Sequence, residues 1–176
     1  DGGYIIGGWF NSPIELDNEI TLTNSQQDGI LIKYNAEGTV EWVKVIGGSD
    51  SDFIRSLAVS PDGGYIVGGE FYSSLIELDN GTTLTNKGSS DGMIIKYNAE
   101  GEAEWAKVIG GSNSDFIRPL AVCPDEGYIV GGSFQSSTIE LDNGIILANK
   151  GSRDGMLIKC KINDTISSSI KYGEVI

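Results

Sequence analysis

Two loops of the chain hold oxygen-bearing side chains at a close spacing that a calcium ion could use. They read Ser-Asp-Ser-Asp at 49–52 and Ser-Asn-Ser-Asp at 112–115. Asp50, Asp52 and Asp115 supply carboxylates, which Ca²⁺ prefers as ligands, but neither loop has the central glycine or final glutamate of an EF-hand. The alternative, which the sequence favours, is a turn in which Asp and Ser bond to nearby backbone N–H groups.

Two arginines recur three residues after these aspartates. Arg55 and Arg118 each end a Phe-Ile-Arg segment, on what we expect to be the innermost strand of a repeated unit. Guanidinium groups bind carboxylates and phosphates through paired hydrogen bonds, so the two could form an anion site. Because the chain is acidic, pairing with acidic neighbours is the favoured alternative.

The remaining candidate ligand-binding residues are one tryptophan and three aspartates. Trp9 corresponds to Glu70 and Ser133 in later copies of the repeat, whereas the aspartates are constant: Asp28, Asp91 and Asp154. An exposed tryptophan could stack on a sugar or anchor a protein partner. For Trp9 we favour contact with a neighbouring or missing unit.

Enzymatic chemistry is not expected. The chain has no histidine, which removes the commonest general base, the Ser–His and Cys–His nucleophile pairs and the commonest zinc ligand. Glu15, Glu77 and Glu140 recur, but all three lie on a predicted surface hairpin, so we interpret them as solvated side chains. No cofactor is expected apart from the calcium alternative.

Composition narrows the choice of partners. The net charge is −13, with 25 acidic and 12 basic residues, which disfavours nucleic acid and anionic membranes. No apolar run reaches the roughly 18 residues of a membrane helix. Cys123 and Cys160 stand where other copies have Ser60 and Tyr97, so we expect free thiols rather than a recurring disulfide.

The elements that position these residues come from a repeat. Asp-Gly-Gly-Tyr-Ile-Ile-Gly-Gly at residue 1 returns as Asp-Gly-Gly-Tyr-Ile-Val-Gly-Gly at residue 62 and as Asp-Glu-Gly-Tyr-Ile-Val-Gly-Gly at residue 125. The later copies are 63 residues apart, which indicates one supersecondary unit stacked on copies of itself. We expect a single domain over 1–176, with repeats at approximately 1–61, 62–124 and 125–176.

Each repeat predicts four antiparallel strands and an extra hairpin. In 52–111, apolar runs end at Ser-Pro-Asp-Gly-Gly and at Asn-Ala-Glu-Gly turns, and paired glycines allow close approach of a neighbouring strand or sheet. Ile-Glu-Leu-Asp-Asn-Gly, from Ile76, predicts a hairpin that projects from the main sheet. Trp42 and Trp105, on the last strand, are expected to pack between units.

The ordered motifs resemble those of the bacterial SBBP-type β-propeller repeat. The similarity covers Ile-Gly-Gly-Ser, Leu-Ala-Val, Gly-Tyr-Ile-Val-Gly-Gly, Asp-Gly-Met-Ile-Ile-Lys-Tyr and Glu-Trp-Ala-Lys, whereas the extra hairpin departs from the family. The resemblance implies blades of an extracellular or cell-surface bacterial protein. We therefore predict an all-β fold of just under three four-stranded antiparallel blades, part of a β-propeller, with a β-solenoid as the main rival.

Such a segment leaves the ring incomplete, because propellers close with roughly four to eight blades. We expect other blades from a longer parent chain, or a homo-oligomer, to cover its open faces. Tyr65, Val67 and Phe71, with their repeat equivalents, should be buried between blades. The favoured function is a non-enzymatic scaffold or interaction module; the alternative is a lectin-like propeller that binds glycans.

Overall fold

A computed structural model describes residues 2–24, 26–123 and 127–161, and these residues form β-strands joined by turns, with one 3₁₀ turn at Asp17–Glu19. The described strands, in chain order, are β1 (Tyr4–Phe10), β2 (Ile14–Glu15), β3 (Thr21–Leu22), β4 (Asp28–Tyr34), β5 (Val40–Ile46), β6 (Asp52–Val59), β7 (Tyr65–Phe71), β8 (Leu75–Glu77), β9 (Thr83–Thr85), β10 (Asp91–Tyr97), β11 (Ala103–Ile109), β12 (Asp115–Cys123), β13 (Gly127–Phe134), β14 (Thr138–Glu140), β15 (Ile146–Ala148) and β16 (Asp154–Lys161). The predicted all-β class is confirmed.

Three antiparallel sheets follow one another along the chain. The first has the order β1-β4-β5, the second β11-β10-β7-β6 and the third β12-β13-β16. The second sheet is the predicted four-stranded unit. The start of the third repeat at Asp125 and a predicted last strand containing Ile166 and Ile170 lie outside the described residues.

The sheets pack face to face. One face of the second sheet, with Val67 and Phe71, joins Leu31 and Ile46 of the first sheet in one core cluster. Its other face, with Ile66, joins the core of the third sheet. The second sheet thus uses the pleat's alternation to bury two apolar faces, as a blade stacked between two others requires. The predicted burial of Tyr65, Val67 and Phe71 is confirmed.

The innermost strands lie closest together. Strand β6 contacts β1 and β4 of the first sheet and β12 of the third. The paired glycines allow two close approaches: a Cβ on Gly68 would lie 3.0 Å from Ile117 of the third sheet, and one on Gly69 would clash with the carbonyl oxygen of Phe53 on β6, the neighbouring strand of the same sheet. The predicted role of the glycine pair is confirmed.

The extra hairpins, β2–β3, β8–β9 and β14–β15, are present in all three repeats. The prediction that they project from the sheets is wrong in one respect. Ile76 and Leu84 of β8–β9 are buried in the core between the first and second sheets, as are Ile139 and Leu147 at the next interface. Period-two alternation gives each hairpin one apolar face, which closes the end of the core, while Glu15, Glu77 and Glu140 face solvent.

Two of the equivalent positions in the first repeat are exposed. Tyr4 and Ile6, the equivalents of Tyr65 and Val67, are 50% and 47% exposed, although the equivalent of Phe71, Phe10, is buried. The expectation that all repeat equivalents would be buried is therefore wrong for Tyr4 and Ile6. The reason is positional: hairpin β2–β3 packs with Phe10, Ile30 and Ile32 on this outer face of the first sheet, but no further sheet of the described residues covers Tyr4 and Ile6. In the described part of the chain, no helix has the length and apolarity to cross a membrane.

Candidate functional site

Asp52 and Asp115 begin the innermost strands β6 and β12, and each collects the same set of hydrogen bonds. Asp52 Oδ1 accepts from the backbone N–H groups of Tyr72 and Ser73, and Oδ2 accepts from Gly48 N–H (2.9 Å) and the Ser73 hydroxyl (2.6 Å). Asp115 accepts equivalent bonds from Gly111, Gln135 and Ser136. Each buried carboxylate thereby ties the Gly-Gly loop to the end of the second strand.

These bonds agree with the favoured interpretation for the aspartates, whose carboxylates accept from backbone N–H groups of the loops, whereas the serines that take part, Ser73 and Ser136, lie outside the two loops. Asp50 completes the first turn, because its N–H donates to Ser73 Oγ and its carboxylate accepts from Ser51 N–H. Among the described residues, no group of three or more Asp, Glu, Cys or His side chains could hold a metal ion. Calcium binding stays a prediction that the geometry of Asp50, Asp52 and Asp115 does not support, since backbone donors already occupy the two buried carboxylates.

Asp28, Asp91 and Asp154 each begin the third strand of a repeat. Asp28 and Asp91 are buried, and Asp154 is partly buried. Asp91 and Asp154 each accept a 2.7 Å bond from the N–H of the lysine four residues earlier. Asp91 and Asp154 thus hold a loop beside a strand, and the three constant aspartates do not present a shared surface to solvent.

The charge of Asp91 is strongly perturbed. Desolvation by burial, with a smaller contribution from the negative charge of Asp115, raises the pKa of Asp91 to about 6. One of its carboxylate oxygens, Oδ1, is buried without a hydrogen-bond partner. Burial likewise raises the pKa of Asp52, against the lowering effect of its four hydrogen bonds.

Arg55 forms the ion pair that the sequence favoured, with an acidic neighbour. Its Nε and Nη2 atoms both lie 2.8 Å from Oε1 of Glu70, whose side chain is almost fully buried. Its guanidinium carbon lies 4.4 Å from the centre of the Phe53 ring. Sequence reasoning missed Glu70, because its equivalents, Trp9 and Ser133, gave that position the variability of a surface site.

Arg118 lies in a different environment from Arg55. It is 64% exposed, and its Nη2 atom is 4.0 Å from the same Glu70 oxygen that Arg55 occupies. The guanidinium carbons of Arg118 and Arg153 lie 5.8 and 5.2 Å from the centre of the Phe116 ring. Arg153 was also missed from the sequence, since it has no arginine equivalent in the other repeats.

Two of the three tryptophans pack between sheets, and the third keeps an exposed surface. Trp42 meets Tyr65 of the next sheet edge-on at 5.7 Å, and Trp105 stacks on Tyr128 of the next sheet at 5.8 Å. Their predicted packing between sheets is confirmed. Trp9 is 43% exposed and meets Phe53 of the second sheet edge-on at 5.6 Å, so it contacts a neighbouring unit while keeping an open surface.

Both cysteines are free thiols, as expected. Cys123 is partly exposed at the end of β12, whereas Cys160 is buried in β16. Burial raises the pKa of the Cys160 thiol, which leaves it protonated and unreactive at neutral pH.

Two known proteins are similar in sequence to this chain. An uncharacterized WD repeat-containing protein, L264, of Acanthamoeba polyphaga mimivirus is 28% identical over 137 residues, and the regulatory protein FlaEY of Caulobacter vibrioides is 30% identical over 113 residues. The matches cover 64% and 63% of this chain, but the chain spans only 10% and 12% of the two relatives. No family model matches the chain, so the resemblance to the SBBP-type repeat has no support from that comparison. The chain is a repeat-built, all-β segment with a distant likeness to a WD-repeat protein.

Proposed function

We propose that the chain is a non-enzymatic interaction module, a segment of a β-propeller that is completed by further sheets. The observation that carries this proposal is the unequal burial of one repeated tyrosine. Tyr65 and Tyr128 each lie under a tryptophan of the preceding sheet, whereas Tyr4, at the same repeat position, has no preceding sheet among the described residues.

The chemistry of the missing neighbour follows from the two interfaces that are present. A sheet ending in Trp-x-Lys would place its tryptophan on Tyr4, as Trp42 lies on Tyr65. Its lysine would reach the hairpin aspartate Asp17, as Lys107 reaches Asp142 at 2.7 Å. The two relatives, each much longer than this chain, support a parent protein with further repeats. The name of one relative, WD repeat-containing, supports an interaction role.

The SBBP-type resemblance supports a finer assignment. The order of the motifs, with the glycine pair before the innermost strand and a tryptophan in the last strand, resembles the pattern of that bacterial family. We therefore place the parent protein outside the cytoplasm, secreted or on the cell surface. Periplasmic or surface labelling of the full-length protein in its native cells would test this location.

The exposed face of the first sheet, which carries Tyr4 and Ile6, provides the test of the interaction module. Static light scattering of the isolated chain at micromolar concentration should detect self-association, because exposed apolar faces associate. Tyr4→Lys together with Ile6→Lys should give a monomer with an unchanged far-UV circular dichroism spectrum. Leu75→Lys, at an exposed apolar position on a hairpin, is the matched control and should still associate. A wild-type chain that stays monomeric would overturn the proposal that this face binds another sheet.

A lectin is the alternative, and it is less well supported. A multivalent lectin would keep equivalent ligand residues exposed in every copy, but Asp28 and Asp91 are buried and Trp9 has no aromatic equivalent. A glycan array decides between the two. Saturable binding to one glycan class, lost in Trp9→Ala with the fold retained, would favour the lectin.

A further inference from the structure

All three arginines of the chain gather beside two phenylalanine rings of the innermost strands. Arg55 lies over Phe53, and both Arg118 and Arg153 lie near Phe116. In a protein with a net charge of −13, this is a local concentration of positive charge. The lysines are arranged differently: Lys44, Lys96 and Lys107 each form an ion pair with a carboxylate.

The second repeat neutralises its own arginine. Glu70 stands opposite Phe53 in the strand register, and its Oε1 atom accepts both hydrogen bonds from Arg55. The carboxylate is almost fully buried, so the pair is held in one place by surrounding side chains. This repeat therefore shows where a carboxylate fits beside the repeated arginine.

The third repeat lacks that carboxylate. Ser133 takes the place of Glu70, opposite Phe116 in the equivalent register. Arg118 therefore has no acidic partner in its own sheet, and the Glu70 oxygen 4.0 Å away is already bonded to Arg55. Arg118 thus has one long ion pair, with Glu70, and Arg153 has none within the described ranges. Glu70 is thus shared by two guanidinium groups, of which Arg55 takes the short contacts.

The backbone presents Arg118 in a defined direction. Strand β12 has a β-bulge between Ile117 and Leu120, at the repeat position where β6 has its own bulge between Ile54 and Ser56. Bulges redirect a side chain out of the regular alternation. Pro119 follows Arg118 directly and restricts its backbone to extended conformations. These constraints reduce the entropy that Arg118 would lose when it binds a ligand.

We propose that Arg118, assisted by Arg153, binds a carboxylate group of a ligand, in the place that Glu70 takes beside Arg55. The planar guanidinium fork matches a carboxylate bidentately. A single carboxylate fits better than a polyanion such as nucleic acid, which the overall negative charge repels. The carboxylate comes either from a small organic acid or from an acidic side chain of a protein. This site is independent of the proposed interaction module, because Arg118 and Arg153 bind the ligand without the exposed sheet face that carries Tyr4 and Ile6.

Titration of the whole chain, followed by the side-chain ¹⁵N resonances of its three arginines, tests the site. The probes are succinate, the blocked peptide acetyl-Gly-Glu-Gly-amide and its neutral counterpart with glutamine. We expect saturable shifts at Arg118 and Arg153 with at least one acidic probe and none with the glutamine peptide. Shifts with succinate alone would assign a small organic acid, and shifts with the glutamate peptide alone would assign a protein side chain.

Two variants at one position sharpen the test. Ser133→Glu supplies the carboxylate from within the chain and should weaken binding of the acidic probe tenfold or more. Ser133→Gln, equal in size but uncharged, should bind as the wild type does. Arg118→Gln, at an exposed side chain that folding does not need, should abolish the shifts even if Ser133→Glu fails to fold. Equal binding by the glutamate and glutamine variants, or no saturable shift with either acidic probe, would overturn the proposal.

Discussion

The first and second sheets carry nearly the same strand sequence in opposite surroundings. Tyr65 and Val67 on β7 are 6% and 0% exposed, whereas Tyr4 and Ile6 on β1 are 50% and 47% exposed. Local sequence sets the strand and its alternation in both sheets. Burial at these two positions depends on a neighbouring sheet, which the second sheet has on both faces, whereas the outer face of the first is covered only in part, by hairpin β2–β3. The same residue type should therefore contribute very differently to stability in the two places.

The largest expected effect is the removal of a tyrosine from an occupied interface. Tyr65→Ala deletes a buried aromatic ring that packs against Trp42, and it should lower the free energy of unfolding by about 3 kcal/mol. Tyr4→Ala is the matched control and should cost less than about 1 kcal/mol, since its ring is half exposed. Urea unfolding monitored by circular dichroism measures both. Equal losses would contradict the comparison.

The next effect separates two aspartates of the same loop. Asp52→Asn replaces an acceptor oxygen with an amide donor that faces the Gly48 N–H and the Ser73 hydroxyl, so it should lose about 2–3 kcal/mol. Asp50→Asn keeps the exposed turn and should change stability by less than about 0.5 kcal/mol. Thermal unfolding of both variants checks this difference. Calcium should not shift the melting temperature of the wild type or of either variant. A calcium-induced shift in the wild type that is lost in both Asp50→Asn and Asp52→Asn would restore the metal assignment.

Substitution of Asp91 by asparagine should change stability in the opposite direction to substitution of Asp52, because Oδ1 of Asp91 has no hydrogen-bond partner to lose. Its pKa is about 6 in the folded chain and near 3.8 when unfolded, so folding favours its protonated form. Its stabilising contribution is present below pH 3.8 and is lost as the pH rises through 6. Asp91→Asn removes the buried charge and should raise the free energy of unfolding by about 1–2 kcal/mol at pH 7.5.

Unfolding midpoints between pH 4 and pH 7.5 test this prediction. The wild type should lose more stability over that range than Asp91→Asn does. Asp154→Asn, at the equivalent but more exposed position, is the control and should leave the pH profile close to that of the wild type. A less stable Asp91→Asn at pH 7.5 would show that the carboxylate is needed in its charged form.

The smallest effect concerns the ion pairs between sheets. The pKa of Asp79 is held below its ordinary value because the hydrogen bond and charge of Lys44 outweigh the effect of burial. Both side chains are partly exposed, so Asp79→Asn should cost less than about 1 kcal/mol, and less still in high salt. Asp17 is the equivalent residue without a preceding sheet, and Asp17→Asn should leave the free energy of unfolding unchanged. A salt-independent loss at Asp79 would point to packing instead.

The sequence predicts well those features that residues close together in the chain determine and that recur in every repeat. The glycines of the predicted turns, Gly63, Gly81 and Gly101, adopt the positive φ that such turns require. The four-stranded order, the hairpins and the packing of Trp42 and Trp105 also follow from patterns that recur.

Contacts specific to one repeat could not be predicted. The burial of Glu70 depends on Arg55 and on a sheet that begins some 45 residues later in the chain. The cluster of Arg118 and Arg153 depends on the meeting of β12 with the loop before β16. Comparison of repeats identifies constant positions, and Trp9, Glu70 and Ser133 differ at one position because each meets a different neighbour.

Hydroxyl-radical footprinting with mass spectrometry tests the central claim most directly, because it measures the exposure of Tyr4, Tyr65 and Tyr128 in one sample. At low protein concentration, Tyr4 should be oxidised rapidly while Tyr65 and Tyr128 stay protected. At concentrations where the chain associates, the oxidation of Tyr4 should fall as another sheet covers it. Equal oxidation of all three tyrosines in the dilute sample would contradict the account, since their burial would then not depend on a neighbouring sheet.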